Sequence, residues 1–409
     1  MPALGLTLRI LLPFAAGYFI SYMLRSVNAV IAPELSHSLA LDAAALGGLT
    51  SVYFLTFALF QLPLGLLLDR YGPRRVEAVL LLIAAGGAAL FASSHDLNGL
   101  IIGRALIGLG VSACLMASFQ LINQWFPADK IPAMNGWILA SGGLGALSAT
   151  RPVEMALSLT DWRGVMWGLA VLTLAVAALI GLTTPERHTP QRERLGALLA
   201  GIVTVFRDAY FWRIVPLVMA TQAAFLAIQG LWAGPWFRDV AGLDRLGVAN
   251  HLLLIAVAMV CGFLLIGQMA SRLNRFGIPL VWISLLGMSV FMLAQFGLVL
   301  EWLSLTLPLW LLFGFFGSSS ILSYPLLSRY FPHHLTGRVN TSINLLVFAS
   351  AFAVQWLMGG VIAIWSSGDH SGYDPRGYQV AFGLMLAVQV LAFIWFIFGL
   401  RRKEPVYGQ

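Results

Sequence analysis

The chain has 409 residues, 59% of them hydrophobic and only 10% charged, with a formal net charge of +7. Ordinary globular domains are about 45–50% apolar and about 25% charged, so a soluble fold of this length is excluded and lipid has to cover the surplus apolar surface. The positive charge does not mark a nucleic-acid binder, because the arginines fall in short breaks between apolar runs and form no single basic face.

A membrane-crossing helix needs about 20 mostly apolar residues. Twelve runs qualify: 10–32, 45–67, 76–94, 98–125, 132–157, 163–183, 210–236, 248–271, 277–298, 303–330, 338–365 and 378–400. The run after Arg9 is too long for a signal-peptide core and lacks a small-residue cleavage site, so it reads as a retained first span. Sidedness follows from Lys and Arg. On the N-terminal side lie Arg9, Arg70, Arg74, Arg75, Lys130, Arg187, Arg192, Arg194, Arg207, Arg272, Arg275, Arg401, Arg402 and Lys403. The opposite loops hold Arg163, Arg238, Arg245 and Arg376, with Arg151 nearby. Basic loops stay on the cytoplasmic side, so both termini are expected there, in a bacterial-type inner membrane. Cys114 and Cys261 lie inside separate apolar runs and read as packing residues, not as a disulfide or metal pair. No cofactor is implied.

The first span contains Tyr22-Met-Leu-Arg25-Ser-Val-Asn28, with Tyr18, Tyr22, Arg25 and Asn28 at helical spacing. A charge buried in a bilayer is costly and is a functional candidate by default. Arg25 is too deep to reach either surface. It is expected to face a cavity and attract a carboxylate or similar anion, unless it pairs with a backbone carbonyl or a neighbouring amide. Glu34 follows Pro33 at the outer end of this span and is either a solvated helix end or a proton-coupling group.

The second span carries Tyr53 and Gln61 and ends in Asp69, Arg70, Gly72-Pro73, Arg74 and Arg75. Gly72 suits a turn, and Pro73 prevents the first helix from continuing. Asp69 is expected beside the N-terminus of the eleventh span, where the helix dipole favours a carboxylate by about 0.3–1 kcal/mol. The alternative is that the loop's charges only fix topology.

The fourth span opens with Gly103-Arg104-Ala-Leu-Ile-Gly108-Leu-Gly110, whose glycines permit close helix approach. Arg104 sits near the outer end of the span and snorkels to the surface unless it has a functional role inside. The same span offers Gln120 and Asn123, and the fifth Asn135 and Ser141. In the fifth span Arg151 and Glu154 stand one turn apart and are expected to neutralise each other; otherwise Glu154 is a second proton-coupling candidate. His251 reads as interfacial. In the seventh span Gln222 and Gln229 share a face, with Trp232 one turn on. The tenth offers Tyr324, and the eleventh Asn340, Asn344 and Gln355. The candidate substrate contacts are Arg25, Asn28, Tyr22, Tyr53, Gln120, Gln229, Trp232, Tyr324 and Asn344. The second half has no acid deep in a span, so coupling is expected in the first.

An internal repeat divides the chain. Trp125-Phe126-Pro127 with Asn135 recurs 205 residues later as Tyr330-Phe331-Pro332 with Asn340. A weak copy of the charged loop recurs as Gly267, Ser271, Arg272, Asn274 and Arg275, without the aspartate. The order Gly65, Asp69, Arg70, Gly72, Arg74, Arg75 resembles the signature loop of the major facilitator superfamily, and the Arg104 segment resembles that family's fourth-span motif, linked there to proton transfer. The resemblance covers nearly the whole chain. It implies an all-α membrane protein with 12 transmembrane helices in two pseudo-symmetric six-helix bundles around a central cavity, alternately open to either side. It also implies the loop as a latch between the halves, and Gln229 and Tyr324 on cavity-lining helices.

The expected boundaries are 1–184 and 209–400 for the bundles, 185–208 for a cytoplasmic linker and 401–409 for a tail. The implied function is proton-coupled symport of a small organic anion by a monomer. The alternative is drug or metabolite efflux by antiport, although the fifth span lacks the Gly-Pro that ends the drug-antiporter motif. An enzyme, a sensor and a primary pump find no reactive constellation, soluble output domain or nucleotide motif in the chain. The partners expected are the solute, protons and the lipid bilayer, with no nucleic acid.

Overall fold

The computed structural model describes residues 4–127, 130–186, 195–332, 335–365 and 372–400. The linker residues Arg187, Arg192, Glu193 and Arg194 and the tail 401–409 lie outside the described residues. Among the described residues, eleven helical segments are long and apolar enough to cross a bilayer. The first crossing is α1 (Leu4–Ser26) continued by α2 (Asn28–Leu39), followed by α3 (Ala43–Tyr71) and α4 (Pro73–Ser93). The fourth is α5 (Leu97–Gly110) with α6 (Cys114–Trp125).

The fifth is divided into α7 (Ile131–Ser148) and α8 (Arg151–Leu157), and α9 (Trp162–Thr183) completes the first half. That the fifth segment crosses follows from its neighbours. The Arg74 side chain donates to Gly181 O (3.1 Å from Nε), joining the start of α4 to the end of α9. Arg163 meets His95 at 3.2 Å at the other end of the same two helices. The chain leaves α6 at the first of these levels and enters α9 at the second, so 131–157 has to traverse the bundle between them.

After α10 (Leu195–Arg207), which packs on the eleventh crossing, the second half repeats the plan. It consists of α11 (Ala209–Ala227) with α12 (Ala233–Asp239), α13 (Arg245–Arg275), α14 (Leu280–Val299), α15 (Thr306–Phe316) with α16 (Ser323–Tyr330), α17 (Thr336–Ala363) and α18 (Pro375–Leu400). Two six-helix bundles result. They meet chiefly along α3 and α17, with α13 against α7 and α8 and α12 against α2. Large apolar side chains such as Leu182, Leu286, Leu391 and Phe398 remain on the outer surface, where lipid replaces water as the solvent.

The first, fourth, seventh and tenth crossings are all interrupted midway. The breaks are a turn at Val27, a turn at 111–113, a π segment Ile228–Trp232 and a 3-10 segment Ser319–Leu322. Broken backbone at membrane depth is tolerated where it is buried in protein or lines a cavity. These four crossings therefore mark the axis between the bundles.

The glycines of α5 act as the motif required. A methyl on Gly103 would stand 2.8 Å from Phe91 N, and one on Gly110 2.5 Å from Leu80 O, so α4 and α5 touch through their backbones. Gly72 links α3 to α4 at φ 80°, ψ 159°, a region open only to glycine. Gly72→Ala is expected to cost about 1–3 kcal/mol and to lower the thermal midpoint in detergent. Gly86→Ala, where a methyl meets nothing within 4 Å, is the control and should raise the midpoint slightly.

Candidate functional site

A cavity of about 380 Å³ lies between the bundles, walled by Tyr18, Tyr22, Arg25, Gln61, Gln222, Tyr324, Asn340 and Asn344 together with apolar residues that include Phe57 and Phe348. A second space of about 610 Å³ between α7 and α13 shares Leu139 and Phe263 with it and reaches Arg272 and Arg275. The site therefore opens towards the arginine-rich end of the molecule.

Arg25 closes the top of this space. It is 9% exposed, and its Nε donates to Tyr53 Oη at 3.4 Å. The guanidinium carbon lies 4.6 Å from the Tyr22 ring, 5.6 Å from Phe57 and 5.4 Å from Phe348 of the other half. Cation–π contacts of this kind hold the plane of the fork without supplying a counter-charge. Among the described residues neither Arg25 nor Arg104 forms an ion pair. Opposite Arg25, Tyr324 Oη donates to Asn344 Oδ1 at 2.6 Å, Ser328 Oγ donates to Asn340 Oδ1 at 3.1 Å, and Ser320 donates to Gln222. The cavity thus offers one buried cation and a set of neutral amides and a phenol.

Arg104 is not at the surface. It is 2% exposed; Nη1 donates to Leu24 O at 2.8 Å and Nη2 to Arg25 O at 3.4 Å, while the guanidinium packs 4.8 Å from the Tyr53 ring. The carbonyls it meets are those freed where α1 breaks at Val27. Arg104 caps α1 and, through Tyr53, supports Arg25 from behind.

Several expected pocket residues sit elsewhere. Tyr53 is fully buried in the layer behind Arg25, and Asn28 is 1% exposed with both side-chain polar atoms unpartnered. Gln120 Nε2 instead donates to Asp69 Oδ1 at 3.1 Å, tying the charged loop to α6 within its own half. Gln229 does not line the cavity although Gln222 does; it lies two turns further along the crossing, inside the π segment Ile228–Trp232. Trp232 is fully buried, with its Cζ2 3.3 Å from the positions that β-carbons would take on Gly47 and Gly359. It plugs the end of the molecule opposite the opening.

That end is also where polar contacts join the halves. Arg245 at the start of α13 binds Glu34 Oε1 at 2.6 Å and also Glu154. Arg151 donates to Asn250 Oδ1 at 2.8 Å, so the expected Arg151–Glu154 pair is replaced by two contacts across the interface. Gln355 Nε2 donates to Thr50 Oγ1. At the arginine-rich end, Arg74 holds Gly181 O, Arg75 pairs with Glu186 at 3.0 Å, and Arg70 is exposed over the Tyr71 ring. These loop contacts lie within one half.

Twelve crossings in two related bundles, around a central cavity open at one end and latched at the other, define a membrane transporter and not an enzyme. The chain belongs to the Major Facilitator Superfamily, whose model matches residues 14–355. It is 30% identical to the probable L-galactonate transporter of Escherichia coli K12 over 231 residues, 55% of this chain and 48% of that protein. It is 24% identical to the inner membrane transport protein YajR of the same organism, over 92% of this chain and 80% of that one. It is 25% identical to the hexuronate transporter of the same strain, over 65% of each. The fold matches a bacterial homologue of the human lysosomal transporter Spinster, solved inward-facing and occupied, with a TM-score of 0.76 and 16% identity over 97% of both chains.

Sequence reasoning overlooked one residue near the cavity. Glu77 on α4 is fully buried, and neither carboxyl oxygen has a hydrogen-bond partner. The signal was present. Glu77 lies on the stripe of Leu80, Leu81, Ala84 and Ala88, the face that α4 buries.

Proposed function

We propose that this chain moves a small organic anion, of the sugar-acid class, across a bacterial inner membrane by proton-coupled symport. The observation that carries the reading is Arg25: a buried guanidinium on the cavity wall, held by aromatic rings and without a carboxylate of its own. A planar fork in such a setting binds a carboxylate through two charge-assisted hydrogen bonds. Gln222, Tyr324, Asn340 and Asn344 supply donors and acceptors suited to hydroxyl groups. Relatives named for L-galactonate, hexuronate and sulfoacetate support an anionic solute.

The bundles are taken as residues 1–184 and 209–400, joined by the cytoplasmic linker 185–208. With the arginine-rich end in the cytoplasm, both termini lie inside and the cavity is inward-open. Asp69, Arg70, Gly72, Arg74 and Arg75 form the inner gate, which closes when the outer contacts of Arg245 separate. A single chain encloses a whole cavity and works as a monomer.

Flux into proteoliposomes tests this directly. L-galactonate, a hexuronate and sulfoacetate are offered with and without an acid-outside pH gradient, and a neutral nucleoside serves as control. Saturable uptake of at least one anion, accelerated by the gradient, is expected, with the nucleoside excluded. Lumen acidification coupled to exit of cationic drugs would instead establish the efflux reading.

A further inference from the structure

We infer that Glu77 is the proton-binding site of the transport cycle, linked to the substrate site through α1; this rests on the proton-coupled reading above. The carboxyl is fully buried and lies against Gly17 of α1, where one of its oxygens fills the space that a side chain at 17 would need. Its polar neighbour is the Cys114 thiol of α6, a weak donor, which also approaches Ser21 of α1. Among the described residues the other elements bring no counter-charge. The side chain of Ile180 on α9 reaches the same space at Gly17. The glycines of α5 meet α4 at Leu80, Ala84, Gly87 and Phe91, and Arg104 points to α1. Tyr18 of α1 faces Gly142 of α7, and the charges of α3, Asp69 and Arg70, belong to the Gly72 turn. Arg74, one turn back on α4, is held by Gly181 O.

An ionised carboxylate in such a place costs several kcal/mol without a partner, so in this arrangement the group carries its proton. Ser21 lines the cavity, and the Cys114 thiol stands near both Ser21 and the acid, so polar groups lead from the cavity towards Glu77. When the proton leaves, the carboxylate needs water or a cation, and the tight contact with Gly17 has to open. Tyr18, Ser21, Tyr22 and Arg25 lie on the same helix as Gly17. Loss of the proton therefore displaces the helix that carries the anion site, which is the differential contact that coupling requires.

Two measurements test the assignment, both on the full chain in lipid. Infrared difference spectra between acid and alkaline pH, without substrate, should show a carboxylic C=O band in the wild type that E77Q lacks. Glutamine mimics the protonated acid in size and charge, so E77Q is expected to fold, checked by gel filtration and thermal midpoint. E77Q should keep counterflow exchange of radiolabelled L-galactonate within about twofold of the wild type, while its gradient-driven accumulation falls to the exchange level. Identical infrared spectra, or an E77Q as strongly driven by the gradient as a driven wild type, would overturn the assignment alone. A wild type indifferent to the gradient would overturn proton coupling and the role of Glu77 with it.

Discussion

Arg25→Gln is expected to weaken carboxylate binding by about 10- to 100-fold, the loss of a charge-assisted hydrogen bond worth about 1.5–3 kcal/mol. The guanidinium is 9% exposed and its protein contacts are aromatic rings and the Tyr53 phenol, so it reaches a bound anion with its charge uncompensated. Arg25→Lys keeps the charge but loses the planar fork and its stacking, and should fall between the two. Equilibrium binding of radiolabelled L-galactonate, together with anion-induced rise of the thermal midpoint, measures the effect. A folded R25Q protein with wild-type affinity would remove Arg25 from the site.

Gly359→Ala should shift the molecule out of the state described here. A methyl at 359 would stand 2.5 Å from Ala43 O and 3.1 Å from Gly47 Cα, and both are backbone atoms that cannot swing aside. Trp232 already fills the remaining space at 3.3 Å. Overpacking of this kind costs about 1–3 kcal/mol, and it is felt only where the ends of α3 and α17 are closed. The closed-end population should drop by about 5- to 150-fold relative to the alternative. Spin labels at the exposed positions His37 and Leu246, one on each half at that end, report the change as a longer distance. An unchanged distance distribution in G359A would show that the glycine contact does not hold this end shut.

The crossings and their grouping were legible because a bilayer imposes a length and a composition that no local preference overrides. The repeated Trp125-Phe126-Pro127 and Tyr330-Phe331-Pro332 turns end α6 and α16, corresponding elements of the two halves. The fifth crossing was harder to read. Its break at 149–150 follows a Gly-rich stretch with no proline inside it. The site was legible in part. Arg25, Tyr22, Tyr324 and Asn344 meet at the cavity, each a polar group set well inside a crossing. Gln229 and Trp232 escaped because spacing arguments assume an unbroken α-helix, and both lie inside the π segment Ile228–Trp232, away from the cavity residues. Glu34 and Glu154 pair with Arg245, 211 residues from Glu34 in sequence, a partner that only the packed halves bring within reach. Glu77 was overlooked for a different reason. It stands at the start of the expected third span, 76–94, beside Arg74 and Arg75 of the charged loop, whereas the helix begins at Pro73 and buries it.

One consequence concerns membrane voltage. A cavity whose uncompensated charge is a single guanidinium takes the potential of whichever compartment it faces. With the arginine-rich end in the cytoplasm, an interior-negative potential draws the empty carrier towards the inward-open form, by up to about 2.3 kcal/mol per 100 mV for one charge crossing the whole field. A bound monoanion, or loss of the Glu77 proton, cancels that charge, so the vacant protonated carrier and the loaded one reorient under different electrical forces.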